Sequence, residues 1–146
     1  MKWVTRKHIR TNRLATAWLI QRFVDPQAEF IFVSPNRVSV VQEMEGAIGF
    51  DAPGAIYSHD GGVTSFEQII HDHKLTDPTL HDLARIVHAA DINGKLHQAP
   101  EAVGLQVISR GFPLIARNDH ETVEKGSFLY DALYAALKER RENGPR

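Results

Sequence analysis

The sequence predicts an α+β fold, with a small early β-sheet against packed helices and a helix-rich C-terminal half. Three observations carry that prediction. Short β-branched and aromatic runs cluster before residue 60, and apolar residues at helical spacing dominate from residue 77 onward. The chain has 146 residues with neither a Pro/Gly-rich linker nor an internal repeat. That length suits a single domain spanning 1–146, which buries roughly 68–70% of its unfolded surface without covalent staples.

Lys2 to Arg6 is a β-leaning first strand. Thr11 to Val24 carries Leu14, Ala15, Ala17, Trp18, Leu19 and Phe23 near helical spacing. Thr11 or Asn12 is suited to cap its start, and Asp25-Pro26 marks its end. Glu29 to Ser34 (Glu-Phe-Ile-Phe-Val-Ser) reads as a buried strand, and Arg37 to Glu45 as a helix ended by Gly46. Ala47 to Phe50 and Ala55 to Ser58 are short strands on either side of an Asp51-Ala-Pro-Gly54 turn. Thr64-Ser-Phe-Glu67 has the capping-box pattern, opening a helix that runs to about Lys74. Thr79 to Ile92, Pro100 to Ser109 and Asp119 to Arg141 are three further helices.

Composition narrows function. With 17 Lys+Arg against 18 Asp+Glu the net charge is −1, so no global field draws the chain to nucleic acid or an anionic membrane. Cysteine is absent, which excludes disulfides, thiolate metal sites and cysteine nucleophiles. No apolar run approaches the ~20 residues of a spanning helix, and the basic N-terminus has no apolar core behind it. A cytoplasmic location is therefore expected. Phosphate-loop, dinucleotide, nucleophile-elbow and His-Glu-x-x-His motifs are all missing.

The positive signal is imidazole and carboxylate. Eight histidines are spread along the chain. His59 sits where a strand ends at Gly61-Gly62, and Glu67 follows in the first turn of the next helix. Together they can converge on one cation, and a sulfur-free His/Asp/Glu set suits Zn²⁺, Mn²⁺ or Fe²⁺. Equally, Glu67 can simply complete the cap while His59 bonds within its turn. His88 and Asp91 share a helix face at i, i+3, either as ligand and orienting partner or as a surface pair near a helix C-terminus. His71 and His73 point to different faces, and solvent exposure is expected for them and for His8, His81 and His97. Asn118 or Asp119 caps the last helix. Arg6, Arg10, Arg13 and Arg22 make the first quarter locally basic, and Arg13 is placed to aim back toward the sheet and bind an oxyanion.

Trp3-Val4-Thr5-Arg6, then Asn12-Arg13-Leu14-Ala15 and Trp18-Leu19-Ile20-Gln21-Arg22-Phe23-Val24-Asp25-Pro26, resembles the opening of the chromate-resistance protein family. Within that family it is most similar to the C-terminal domain of the longer chromate sensors. The likeness continues through Phe50-Asp51, Pro53-Gly54, His59, Thr64 to Glu67, Ile86 to Asp91 and Tyr130 to Tyr134, in order over nearly the whole chain. Carried over residue by residue, the matching polar positions are Arg13, Arg22, Asp25, His59, Glu67, Asp91 and Asp131. The resemblance thus favours a divalent metal on His59, Glu67 and Asp91 with His88 beside them, and an anion at Arg13 and Arg22.

The family opening often reads Asp-Arg followed by Cys-Pro, whereas here Asn12 and Thr16-Ala17 stand at those places, so any role of that cysteine is absent. The longer sensors also carry an N-terminal region thought to contact DNA, without a counterpart in these residues. The expected partners are therefore a small-molecule or oxyanion ligand, with neither nucleic acid nor membrane, and a homo-oligomer is left open. Two functional readings follow: a metal-dependent enzyme acting on a small anionic or oxidised substrate, or a non-enzymatic oxyanion-binding sensor or accessory module.

Overall fold

The computed structural model describes residues 1–58, 61–92 and 94–144. Three strands, β1 (Lys2–Arg6), β2 (Glu29–Val33) and β3 (Ile48–Gly49), form a parallel sheet in the order β2-β1-β3. Lys2 is in register with Glu29 and Arg6 with Val33 on one side of β1, while Trp3 pairs with Ile48 on the other. The helices are α1 (Thr11–Leu19), α2 (Val38–Glu45), α3 (Ser65–Asp72), α4 (Pro78–Asp91), α5 (Glu101–Ile115) and α6 (Asp119–Asn143). The α+β class expected from sequence is what the chain adopts.

Strand order decides the layers. The connection from β1 to β2 moves one way across the sheet, and the connection from β2 to β3 moves back over β1. Right-handed crossovers in opposite directions put their helices on opposite faces. α1 accordingly covers one face and α2 the other. The period-2 alternation of the strands matches: Trp3, Phe30 and Phe32 pack with α1 and the later helices, whereas Val4, Ile31 and Val33 pack with Val38, Val41 and Ala47 beneath α2. α3 to α6 complete the larger layer around Leu14, Trp18, Phe66, Leu83 and Tyr130. No helix among the described residues is long and apolar enough to cross a membrane.

Several expected boundaries move, each for a local reason. Neither Thr11 nor Asn12 caps α1: Arg10 holds the cap position without a side-chain bond, because the Asn12 side chain is used across the core. The last turn of the predicted 11–24 helix widens into a π-helix, Ile20–Val24, closed by Asp25 N–H donating to the Ile20 carbonyl at 2.7 Å. β2 is half-buried rather than buried, since it is a sheet edge. Ala55 to Ser58 forms no strand, only a parallel bridge from Tyr57 to Phe50. α3 stops at Asp72, and Lys74 turns into the left-handed region at φ 53°. α5 runs past Ser109 to Ile115 even though Pro113 lies inside its last turn, where the ring removes the N–H that would otherwise bond the Ser109 carbonyl.

The Thr64 capping box forms as read, Gly46 ends α2 at φ 65°, and Asn118 caps α6 by accepting from Glu121 N–H. His8, His71, His73, His81 and His97 are exposed.

α1 and α6 meet at Gly126, where an added Cβ would lie 2.7 Å from both δ carbons of Leu14. Leu14 is fully buried, so it has little room to retreat. Gly126→Ala is expected to destabilise the fold by about 1–3 kcal/mol through overpacking, despite alanine's better helix propensity. Urea denaturation measures this; an unchanged or raised midpoint would contradict the close helix approach.

Candidate functional site

β1 leads off toward β2, whereas the chain leaving β3 moves away on the far side, where Tyr57 bridges Phe50. Diverging connections of this kind open a crevice beyond the carboxyl ends of two neighbouring parallel strands, the place where open sheets flanked by helices bind ligands. Here the corresponding position holds Arg6, the last residue of β1, and Asp51, two residues after β3.

Asp51 is 3% exposed and takes a φ of 48°, a conformation that aspartate tolerates better than most residues. Its Oδ2 lies 3.3 Å from Arg13 Nη1 and 3.6 Å from Arg6 Nη2, so one carboxylate oxygen sits between two guanidinium groups. Arg6 also donates its Nε–H to the Asp51 carbonyl at 2.8 Å, and Arg13 donates from Nη2 to the His8 carbonyl at 3.0 Å. Burial pulls the Arg13 guanidinium below the usual arginine range, and the charges of Asp51 and Asp91 push it back up. Arg13 Nε is buried without a hydrogen-bond partner among the described residues.

Three polar side chains fix the wall beside Arg13. Asn12 donates from Nδ2 to Ser65 Oγ at 3.0 Å and accepts from Thr16 Oγ1 at 3.2 Å, and the Thr16 and Ser65 hydroxyls lie 3.0 Å apart. All three are buried, and they lock the first turn of α1 to the first turn of α3. In that turn of α3, Glu67 Oε1 accepts from Thr64 N–H and Thr64 Oγ1, both at 2.9 Å, and meets His88 Nδ1 at 2.9 Å. An ionised carboxylate only accepts, so Nδ1 carries the proton and Nε2 of a neutral ring carries the lone pair.

The sequence-derived candidates therefore divide. Glu67 and His88 come together. Asp91 lies one turn beyond His88 on α4, and its charge acts on Arg13 and on the Tyr130 phenol, which burial pushes up from its ordinary range. His59 lies outside the described residues. Among the described residues no group of three His, Asp or Glu side chains is placed to hold a metal ion.

Arg22 is elsewhere, nine residues along the same helix from Arg13, roughly 13 Å at 1.5 Å per residue. It forms a two-point ion pair with Asp131 at 2.9 and 3.0 Å, and Trp18 Nε1–H donates to the same carboxylate at 2.7 Å. Asp25 accepts from Trp3 Nε1–H at 3.0 Å. Asp119 accepts the His8 and Ile9 amides, both at 2.9 Å, and His120 stands edge-on to Phe32.

Sequence reasoning gave Asp51 no role beyond a turn residue in a stretch resembling the family, and passed over the Asn12–Thr16–Ser65 cluster. The available signal for Asp51 was its position just beyond a strand end.

Fold and side-chain geometry define a small sheet-and-helix domain with a cluster of charged groups at the strand carboxyl ends. A family model described as ChrB, C-terminal domain, matches residues 3–137. Protein ChrB of Cupriavidus metallidurans is 32% identical over 142 residues, covering 97% of this chain and 42% of that relative. The chain belongs to the ChrB C-terminal domain family, and spans less than half the length of the curated relative it matches. No solved structure matches it at a significant level.

Removing the shared carboxylate would leave two guanidinium groups facing each other. Asp51→Ala is expected to cost roughly 3 kcal/mol, the scale of a broken buried ion pair. Asp51→Asn should cost clearly less, because asparagine keeps an acceptor oxygen and tolerates the positive φ. Equal losses in chemical denaturation would contradict the electrostatic role assigned to Asp51.

Proposed function

We propose that this domain is an oxyanion-binding module of the chromate-resistance family, taking a small tetrahedral oxyanion of the chromate class in the crevice between Arg6 and Arg13. The observation that carries the reading is the pair of guanidinium groups brought from β1 and α1 to the strand carboxyl ends, one of them largely buried with its Nε uncommitted. Guanidinium N–H groups in a partly dry site grip tetrahedral oxyanions strongly, and a planar fork does so with geometric selectivity. The reading concerns this domain alone.

Ligand-dependent melting tests it. Chromate or phosphate at a hundredfold excess over Kd stabilises the folded state by about 2.7 kcal/mol, which is several degrees for a domain of this size. Arg13→Lys, which keeps the charge but loses the fork, should remove most of that shift, whereas Arg22→Ala should leave it in place. A shift that survives at Arg13 and disappears at Arg22 would overturn the assignment.

A second reading is favoured by the Glu67–His88 contact. A carboxylate that fixes an imidazole through Nδ1 is the usual arrangement behind a metal-ligating histidine, and it makes Glu67 the orienting partner and His88 Nε2 the ligand. Zn²⁺, Mn²⁺ or Fe²⁺ fits such a donor, with His59 as the expected second ligand. A bound ion there would supply Lewis acidity or a bound water of lowered pKa, the basis for an enzymatic role. Elemental analysis of untagged, metal-reconstituted protein checks this. Metal should be near-stoichiometric, lost in His88→Ala, and bound about 10- to 100-fold more weakly in Glu67→Gln. Equal metal content in wild type and His88→Ala would remove the reading.

A further inference from the structure

We infer that the crevice selects oxyanions that carry a proton, and that Asp51 is the residue that imposes this choice. The inference rests on the oxyanion reading above and names the ligand's protonation state, which that reading leaves open.

An anion that reaches both Arg6 and Arg13 must lie alongside the carboxylate oxygen those two residues already share, at 3.6 and 3.3 Å. Asp51 is almost completely buried, so water does not screen it. A carboxylate only accepts hydrogen bonds. Two anionic oxygens brought together in such a place repel, and the repulsion is relieved when one proton lies between them. A protonated oxyanion supplies that proton: its O–H donates to Asp51 while its other oxygens accept from the guanidinium groups. A fully deprotonated dianion has nothing to donate.

The charge count points the same way. Arg6 and Arg13 contribute two positive charges and Asp51 one negative, so one positive charge remains. A singly charged ligand cancels that remainder and a dianion overshoots it. Asp91 from α4, whose charge also acts on Arg13, strengthens the bias. The ligand class is thus the protonated monoanions dihydrogen phosphate, dihydrogen arsenate or hydrogen chromate, with sulfate disfavoured. Charge alone would attract sulfate as well as phosphate; the buried acceptor separates them.

Isothermal titration calorimetry at near-neutral pH with inorganic phosphate and with sulfate tests this. Wild-type protein should bind phosphate about tenfold or more tightly than sulfate, the scale of one charge-assisted hydrogen bond. Asp51→Asn replaces a pure acceptor with an amide that also donates, and asparagine accommodates the φ of 48°. In that variant the preference should collapse to about twofold, with sulfate gaining affinity. Circular dichroism on the same samples confirms the fold. If wild type binds both anions equally, the oxyanion site stands and the selection by Asp51 fails. A preference that persists in Asp51→Asn also overturns the inference. If wild type binds neither anion, the oxyanion reading and this inference fall together.

Discussion

The crossover geometry of a three-stranded parallel sheet places everything else in this domain. Because the chain steps from β1 to β2 and then back over β1 to β3, right-handed connections send α1 and α2 to opposite faces. At the carboxyl ends of β1 and β3 the two connections diverge, the arrangement that opens a gap in such sheets. Arg6 closes one strand and Asp51 follows the other, so the gap is polar from the outset. α3 and α4 then bring Glu67 and His88 to the same end of the sheet through the Asn12–Thr16–Ser65 lock.

The electrostatics of the gap follow from that geometry. Arg6 and Arg13 would repel each other near a buried surface, and Asp51 compensates them at the expense of an unusual backbone conformation. Strain held by surrounding structure at a strand end is common where side chains must be aimed. By contrast, the Arg22–Asp131 pair is a two-point contact that anchors the indole N–H of Trp18 and joins the π-helical turn to α6. Two arginines of one helix thus have different work. Arg13 pairs with Asp51 at the strand ends, and Arg22 fastens the last helix to the first.

Local features of the sequence were legible because local physics decides them. The Thr64–Glu67 capping box, the left-handed Gly46 and the Asn118 cap of α6 each need only a few neighbouring residues. The convergence of Glu67 with His88 was foreseen as a shared neighbourhood; its particular form, three donors on one carboxylate oxygen, was not. Asp51 was opaque because its partners lie 38 and 45 residues away in sequence and meet it only after both crossovers have formed. The cap of α1 was misread for the same reason: a buried tertiary contact with Ser65 outcompetes Asn12's local preference to cap. Arg13 and Arg22 were both expected at an anion, and the helix rotation and the position of Asp131 separate them.

The central claim is that Arg6 and Arg13 together hold an oxyanion at the strand ends. Arginine Nε–H resonances in ¹⁵N-labelled protein, followed during titration with inorganic phosphate, report on it directly. The signals of Arg6 and Arg13 should shift together along one binding curve while that of Arg22 stays fixed. Movement of Arg22 alone, or no movement of Arg13 at saturating phosphate, would contradict the account.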